Sequence, residues 1–230
     1  MSFNLLDIWN HMGFLNRLIS ITLLVMGVAC LTIFFERLYS LARNRKQSLA
    51  LAAQVGPLAE SGQFNQALDL ARQAGDAGGY FAHLLVAALG AALAQTRGGE
   101  LNPLERAERE TERWRENFGR QLRRGMSTLA STGSVAPFIG LLGTVVGIIM
   151  AFKTISLTGS GGISSVAGGI SEALVETALG LLIAIPATLM FNLLTGKIGA
   201  FEAGAVQNAG RILELLEDYG YGHDRQPAKQ

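Results

Sequence analysis

The sequence predicts an all-α membrane protein with three spanning helices, whose long helices extend into a helical domain outside the bilayer. The mean hydropathy is +0.30, and charged residues make up 16% of the 230 residues, against roughly 25% in a typical soluble protein. Three apolar runs without a charge, at 18–35, 125–152 and 177–196, are long enough to cross a bilayer. The net charge of +1 excludes the strong basic excess of nucleic-acid-binding domains.

The first span is predicted at 18–35, after a short N-terminal segment, residues 1–17. A cleaved signal peptide is the competing interpretation, but no basic cluster precedes the apolar run and no small-residue cleavage site follows it. Four basic residues follow instead and anchor the segment: Arg37, Arg43, Arg45 and Lys46. Cys30, the single cysteine, lies within this run and is predicted to be a buried, unreactive thiol.

Residues 36–124 are predicted to form a helical domain between the first two spans. The run "HLLVAALGAALAQ" at 83–95 is apolar for only about ten residues, which favours a buried helix over a fourth span. Segment 58–76 has the pattern of two helices joined by a turn at Ser61 and Gly62. The charged segment 103–124 predicts a helix that continues without a break into the second span.

The second span is predicted at 125–152 and the third at 169–196, joined by a loop at 153–168. A C-terminal helix at 197–220 and a disordered tail at 221–230 follow. Arginine and lysine are concentrated at both ends of the domain 36–124, whereas only Arg17 and Lys153 flank the spans on the opposite side. The positive-inside rule therefore places the domain and the C-terminus in the cytoplasm and the N-terminus and the loop outside it.

The second and third spans form a predicted antiparallel hairpin in which threonines lie at matching depths. Two antiparallel helices of equal rise place residues at the same depth when their numbers sum to a constant. With the turn centred between residues 160 and 161, Thr144 lies level with Thr177, and Thr132 lies close to the level of Thr188. A single threonine in an apolar helix usually bonds to its own backbone, whereas facing threonines predict a shared polar seam.

Three glycines, Gly140, Gly143 and Gly147, surround Thr144 and allow a neighbouring helix to approach closely. Their structural role is helix packing, which is compatible with a narrow row of hydroxyl groups along the same seam. Pro186 interrupts the third span, frees a backbone carbonyl group and is predicted to kink the helix.

Two acidic residues, Glu172 and Glu176, lie one helical turn apart at the start of the third span. A carboxylate near a helix N-terminus is favoured by the helix dipole, so Glu172 has a simple structural interpretation. Glu176 lies deeper, at about the level of Val145. Ionisable groups inside a span pair with a partner, line a cavity or relay protons. For both acids, structural pairing and the lining of a water-filled vestibule remain alternatives.

The sequence contains no recognisable enzyme or cofactor site. The three histidines, His11, His83 and His223, fall in different predicted segments, so they indicate neither a metal site nor a catalytic triad. The segment "LTGKIGA" contains a Gly-Lys pair, but Phe191 stands where a phosphate-binding loop needs its first glycine. We therefore expect no enzyme activity, no cofactor and no metal.

The two helices of the hairpin resemble a known family. "APFIGLLGTVVGIIMAF" (136–152) and "GGISEALVETALGLLIAIPATLMFN" (168–192) are similar to the signature helices of the MotA/TolQ/ExbB proton-channel family. The resemblance implies a homo-pentameric ring around two single-span partners of the ExbD/TolR type, in which a partner aspartate carries the proton. It implies that Thr144 and Thr177 hydrate or coordinate the proton path. Glu172 matches an acidic residue of the family, whereas Glu176 stands where its ExbB and TolQ branches usually have a small residue.

The resemblance also implies a function: an inner-membrane motor subunit that converts proton motive force into mechanical work on the cell envelope. Siderophore uptake of the TonB type, Tol-type constriction and gliding motility would all use the same helices, and these alternatives remain open. The proton is favoured over sodium by the resemblance alone. A non-conducting membrane scaffold of the same architecture is the alternative function. The flagellar branch is less expected because it typically has four spans.

Overall fold

The structure is a computed structural model that describes residues 9, 12–94, 102–158 and 163–221. Within these residues the fold is all-α and contains no strand, which confirms the all-α part of the predicted fold class. The described part of the chain contains the long or regular α-helices α1 (Phe14–Glu60), α2 (Phe64–Ala74), α3 (Gly79–Leu93), α4 (Pro103–Leu122), α5 (Met126–Thr158) and α6 (Ile163–Leu216). A 3₁₀ turn, Gly75–Gly78, joins α2 to α3, and a wide turn, Glu217–Tyr221, follows α6.

The chain divides into two compact units, and each is built from two separate stretches of sequence. The first unit comprises Met1–Glu36 and Gly125–Leu194, and the second comprises Arg37–Arg124 and Thr195–Gln230. Because α1 and α6 are long, each of them contributes one part to each unit.

The first unit packs the beginning of α1 against α5 and the beginning of α6. Its small apolar core contains Ile19 and Leu23 from α1, Ala136 from α5 and Ala184 from α6. Large apolar side chains remain exposed on its outer faces, among them Phe138, Leu142, Leu182, Ile185 and Leu189. An apolar exterior around a thin core of small residues is typical of helices that pack in lipid.

The second unit has a larger core, built from α2, α3, α4 and the ends of α1 and α6. Phe64, Tyr80, Phe81 and Leu85 are almost completely enclosed. Nine of the 15 residues of α3 are buried and the other six are half-buried. This burial explains why its sequence is apolar. A helix that is hydrophobic all round is buried in the core of a protein or in a membrane.

Within the described residues, four helical stretches are long and apolar enough to cross a membrane by length and composition, rather than the three predicted from the sequence. The additional stretch is Phe64–Leu93, which contains the run 83–95. In its 18-residue apolar window, 56% is buried inside the protein, against 22–28% in the corresponding windows of the other three stretches. It is also interrupted by the 3₁₀ turn, where Gly75 and Gly79 have positive φ angles of 45° and 64°.

The structure corrects the prediction of an unbroken helix from residue 103 through the second span. Helix α4 ends at Leu122 and α5 begins at Met126, with a turn between them. Gly125 in this turn has φ +81°, a left-handed conformation that glycine adopts without strain and that commonly ends helices. The predicted turn at Ser61 and Gly62 is confirmed, with Gly62 at φ +75°.

The helices reach further into the predicted loop 153–168 than expected. Helix α5 continues to Thr158 and α6 begins at Ile163, so that only 159–162, which lie outside the described residues, separate them. Most of the predicted tail 221–230 also lies outside the described residues.

The chain beyond α6 is attached to the turn between α1 and α2. The Tyr219 hydroxyl group donates a hydrogen bond to the Glu60 carbonyl oxygen at 2.8 Å, and its ring meets the Phe64 ring edge-on at 5.6 Å. A β-carbon added at Gly62 would lie 2.7 Å from the Tyr219 ring. The turn at Gly62 and the chain that follows α6 therefore pack closely against each other.

We expect Phe81→Ala to destabilise the second unit strongly. Phe81 is 1% exposed, and removal of a buried phenylalanine side chain costs about 3–5 kcal/mol through lost burial and the cavity that remains. Denaturant unfolding of the detergent-solubilised protein measures the loss. Leu49→Ala on the exposed face of α1 is the control and should change stability little. Equal losses in the two variants would contradict the assigned core.

Candidate functional site

Helices α5 and α6 approach so closely that their backbones touch. A β-carbon added at Gly140 would lie 2.9 Å from the Glu176 carbonyl oxygen and 3.1 Å from the Thr177 α-carbon. From the opposite side, a β-carbon at Gly180 would lie 2.7 Å from the Ala136 carbonyl oxygen. Real side chains essentially never make contacts this short, so each helix supplies a glycine where the other crosses it.

The remaining glycines of the face receive side chains from two helices. Gly143 lies against Glu176, whose carboxylate group occupies the space that a β-carbon of residue 143 would need. Gly147 lies against Ala173, with 3.0 Å from the added β-carbon to the Ala173 methyl group, and against Asn16 of α1 at 3.3 Å. Gly140, Gly143 and Gly147 thus form one continuous face of α5 that contacts α6 and the first turn of α1.

The two predicted site threonines bond to backbone carbonyl groups rather than to each other. The Thr177 hydroxyl group donates across the helix pair to the Gly140 carbonyl oxygen at 3.2 Å. The Thr144 hydroxyl group donates within α5 to the Leu141 carbonyl oxygen at 2.6 Å. Both side chains are half-buried. Each hydroxyl oxygen retains acceptor capacity, because a threonine oxygen has two lone pairs.

The predicted depths are about one helical turn in error at this level. Thr177 lies opposite Gly140, four residues from Thr144, which corresponds to about 6 Å along the helix axis. The second predicted level is closer to expectation. Thr188 packs against Gly133, next to the buried Thr132, while the Thr188 hydroxyl group donates to the Ala184 carbonyl oxygen at 3.0 Å.

Glu172 interacts with the beginning of α1. Its Oε1 atom accepts hydrogen bonds from the Gly13 backbone N–H at 3.3 Å and from the Asn16 Nδ2 at 3.2 Å. The N-terminus of a helix presents unpaired N–H groups and a positive dipole end, both of which favour a carboxylate. Glu172 therefore joins the first and third predicted spans through a structural contact.

Glu176 has a different environment from Glu172, although the two residues lie one turn apart. Its side chain is 0% exposed, and neither carboxylate oxygen has a hydrogen-bond partner among the described residues. The Asn16 Oδ1 atom is also buried and has no partner there. Glu176 is thus enclosed inside the subunit, and its vestibule role stays a prediction.

Pro186 lies inside α6, which remains helical on both sides of it. It borders an apolar cavity of about 260 Å³ between α1 and α6, which Gly27, Cys30 and Ile183 also line. The thiol of Cys30 is free and buried. The predicted kink at Pro186 stays a prediction.

Within the described residues, no group of three or more histidine, cysteine, aspartate or glutamate side chains could hold a metal ion. The imidazole of His83 contacts Asp76 at 3.0 Å and stacks on Trp114 with ring centroids 5.0 Å apart, which gives it a structural role. His11 and His223 lie outside the described residues.

Sequence reasoning missed two residues of this site, Asn16 and Gly180. Gly180 carries a signal, since it lies in the third span on the same side as Glu176, four residues away, and small residues at this spacing mark close helix contacts. Asn16 is a polar residue at the edge of the first apolar run, and its position gives no indication of its partner on α6.

Comparison with known proteins identifies the family to which this helix pair belongs. The model of the MotA/TolQ/ExbB proton channel family matches residues 83–204, which is more than half of the chain and includes all of α5 and most of α6. The chain belongs to this family. The predicted resemblance is confirmed, and the protein is a multi-pass membrane protein of a channel family that energises transport.

The relatives named biopolymer transport protein ExbB are similar over different lengths. The protein of Salmonella typhimurium is 32% identical over 215 residues, covering 91% of this chain and 86% of the relative. That of Pseudomonas putida is 42% identical over 98 residues, covering 43% of this chain and 30% of the relative. That of Neisseria gonorrhoeae is 57% identical over 70 residues, covering 30% of this chain and 32% of the relative.

Proposed function

We propose that this chain is a proton-conducting motor subunit that converts proton motive force into mechanical work on the cell envelope. The observation that carries the proposal is the glycine-lined contact of α5 and α6, with Thr144 and Thr177 half-buried along it. This contact lies entirely within the part of the chain that matches the proton channel family. Hydroxyl oxygens at a narrow seam can hold water or a proton carrier where hydrocarbon cannot.

The proposal includes three spans, formed by the first part of α1, by α5 and by the first part of α6. The fourth candidate, Phe64–Leu93, consists of helices of 11 and 15 residues separated by a 3₁₀ turn. A helix of 15 residues rises only about 22 Å, less than the hydrocarbon thickness of about 30 Å. Its side chains also form the core of the second unit, which we place in the cytoplasm together with the C-terminus.

The proposed partners are further copies of this chain, as a pentamer, and a single-span protein of the ExbD/TolR type, as a dimer. The charge-free centres of the three spans contain no aspartate, so the proton-carrying aspartate must come from the partner. The proposed location is the bacterial inner membrane. Relatives called biopolymer transport proteins favour an uptake machine of the TonB type over Tol-type constriction or gliding motility.

The available energy suits such a motor. One charge crossing a potential of 100 mV releases about 2.3 kcal/mol, and each unit of pH difference adds about 1.4 kcal/mol. A few protons therefore supply enough free energy to drive one conformational step.

Native mass spectrometry and proton-flux measurements on the protein co-expressed with a neighbouring single-span protein test the proposal. We expect a homo-pentamer that retains two partner chains and conducts protons in liposomes, with conduction lost when the partner aspartate is changed to asparagine. A ring that never retains the partner and conducts nothing would contradict it. That result would favour the alternative, a structural scaffold, because the glycine contacts of α5 and α6 would serve a scaffold equally well.

A further inference from the structure

Glu176 is a buried ionisable side chain of α6 that packs against Gly143 of α5 and has no hydrogen-bond partner among the described residues. We propose that Glu176 is itself a proton-binding site, in which a neutral carboxyl group packs against Gly143 inside each subunit, and that release of this proton loosens α5 from α6. The inference deepens the proposed function and rests on it for its role in energy conversion. The binding site itself rests only on the geometry of the subunit.

The surroundings of Glu176 do not compensate a negative charge on its carboxyl group. Glu176 is 0% exposed, and both carboxylate oxygens lack hydrogen-bond partners among the described residues. An isolated carboxylate in an apolar environment is so unfavourable that the group neutralises instead. Proton binding is the simplest way for Glu176 to occupy this position.

The titratable groups of helices α1, α5 and α6 determine whether Glu176 has a counter-charge. Helix α5 carries no titratable residue between 126 and 152. On α6 the nearest charged residue is Glu172, which cannot neutralise a second carboxylate. On α1, Asn16 is uncharged, and the Arg17 Nε donates to the Trp9 carbonyl oxygen at 3.2 Å. Among the residues that the structure describes, Glu176 forms no ion pair.

The hydrogen-bonding environment of Glu172 differs from that of Glu176. Glu172 receives two N–H donors from the beginning of α1, which suit a carboxylate, whereas Glu176 receives none. Two identical side chains one turn apart thus have opposite surroundings, and pairs of this kind divide into one charged and one neutral member. Glu172 is the matched internal control.

The packing at Gly143 links proton binding to helix movement. The Glu176 carboxyl group fills the space beside Gly143, and the backbones touch one turn away at Gly140 and Gly180. An ionised Glu176 would require water or a cation, and in this contact the carboxyl group is fully shielded from solvent. Loss of the proton therefore favours separation of α5 from α6 near Gly143, and proton binding favours contact.

Infrared difference spectroscopy of the protein in lipid membranes tests proton binding directly. We expect the carbonyl stretching band of a protonated carboxylic acid at neutral pH, shifted in D₂O. Glu176→Gln, which keeps the shape of the neutral acid, should abolish the band, and Glu172→Gln should retain it. A wild-type spectrum without the band, or a band that survives in Glu176→Gln, would overturn the proposal. A carboxylate band that responds to added sodium ions would also overturn it, in favour of a cation site.

Spin labels test the link to packing. Cysteines introduced at Val145 and Leu174, both exposed, carry the labels in a Cys30→Ser background, and an excess of unlabelled subunits keeps one labelled pair per complex. Raising the pH should lengthen the distance between the labels in otherwise wild-type protein but not in Glu176→Gln. Equal responses in the two proteins would refute the coupling. Neither measurement requires the partner protein or a proton flux. Failure of the channel proposal would therefore leave both tests of Glu176 valid. Failure of the Glu176 proposal would likewise leave the channel proposal standing.

Discussion

Gly143→Ala should destabilise the contact between α5 and α6 more than its single added methyl group suggests. The new β-carbon would occupy the space of the Glu176 carboxyl group, which is fully enclosed. Overpacking of this kind costs about 1–3 kcal/mol. Denaturant unfolding of the solubilised protein measures the loss, and the yield of assembled complex should fall with it.

Two further variants show whether the clash with Glu176 is the cause. Gly168→Ala adds the same methyl group where no atom lies within 4 Å, so stability should be unchanged. Glu176→Ala combined with Gly143→Ala removes the carboxyl group and leaves only the β-carbon of residue 176, 2.9 Å from the added β-carbon. The double variant should therefore be less unstable than the sum of the single effects, as expected for residues in contact. Strict additivity, or a Gly143→Ala protein as stable as wild type, would show that the contact is not tight.

Thr177→Val should abolish proton-driven force output while the complex still assembles. Valine keeps the shape of threonine but removes the hydroxyl group that bridges α6 to the Gly140 carbonyl oxygen of α5 and can accept further hydrogen bonds. Thr144→Val, which removes the hydroxyl group on the facing turn, should have the same effect. Proton flux into liposomes measures the output, and native mass spectrometry of the same preparation measures assembly.

Two kinds of control accompany these variants: serine variants that keep the hydroxyl group, and a valine variant at a threonine outside the site. Thr177→Ser and Thr144→Ser keep the hydroxyl group and should retain much of the flux. Thr22→Val removes an exposed hydroxyl group of α1 that also bonds only to its own helix, and flux should be unaffected. Normal flux in both Thr177→Val and Thr144→Val would refute the role of the hydroxyl groups and favour the scaffold.

The helical fold and the crossing of α5 with α6 could be predicted because they depend on local patterns. Runs of about 20 residues without charge identify apolar helices, and Gly140, Gly143 and Gly147 recur on one helical face. The matching depths of Thr144 and Thr177 were estimated from equal rise alone. The structure pairs Thr177 with Gly140 instead, because real helices cross at an angle and a constant sum of residue numbers describes only parallel axes.

Other features depend on contacts that no local pattern contains. The bond from Gly13 to Glu172 joins residues 159 positions apart, and Glu172 therefore had two open interpretations. The burial of Glu176 depends on its packing against Gly143 of α5, so its position in the span did not reveal whether it meets water. The break at Gly125 did have a signal, since a glycine after an arginine-rich turn is a common helix end, but the apolar run that follows made a continuous helix equally consistent.

The division of the second unit into two stretches has a consequence for biosynthesis. Its core needs five residues from α6, namely Ala205, Ala209, Ile212, Leu213 and Leu216, yet the rest of that core is complete in sequence by Arg124. At about 5–20 residues per second, the ribosome needs on the order of ten seconds to translate the intervening residues. Until then, the nascent domain has an uncovered apolar surface that a chaperone or the insertion machinery can bind. Synthesis of α5 and of the first part of α6 therefore precedes the final folding step of the second unit.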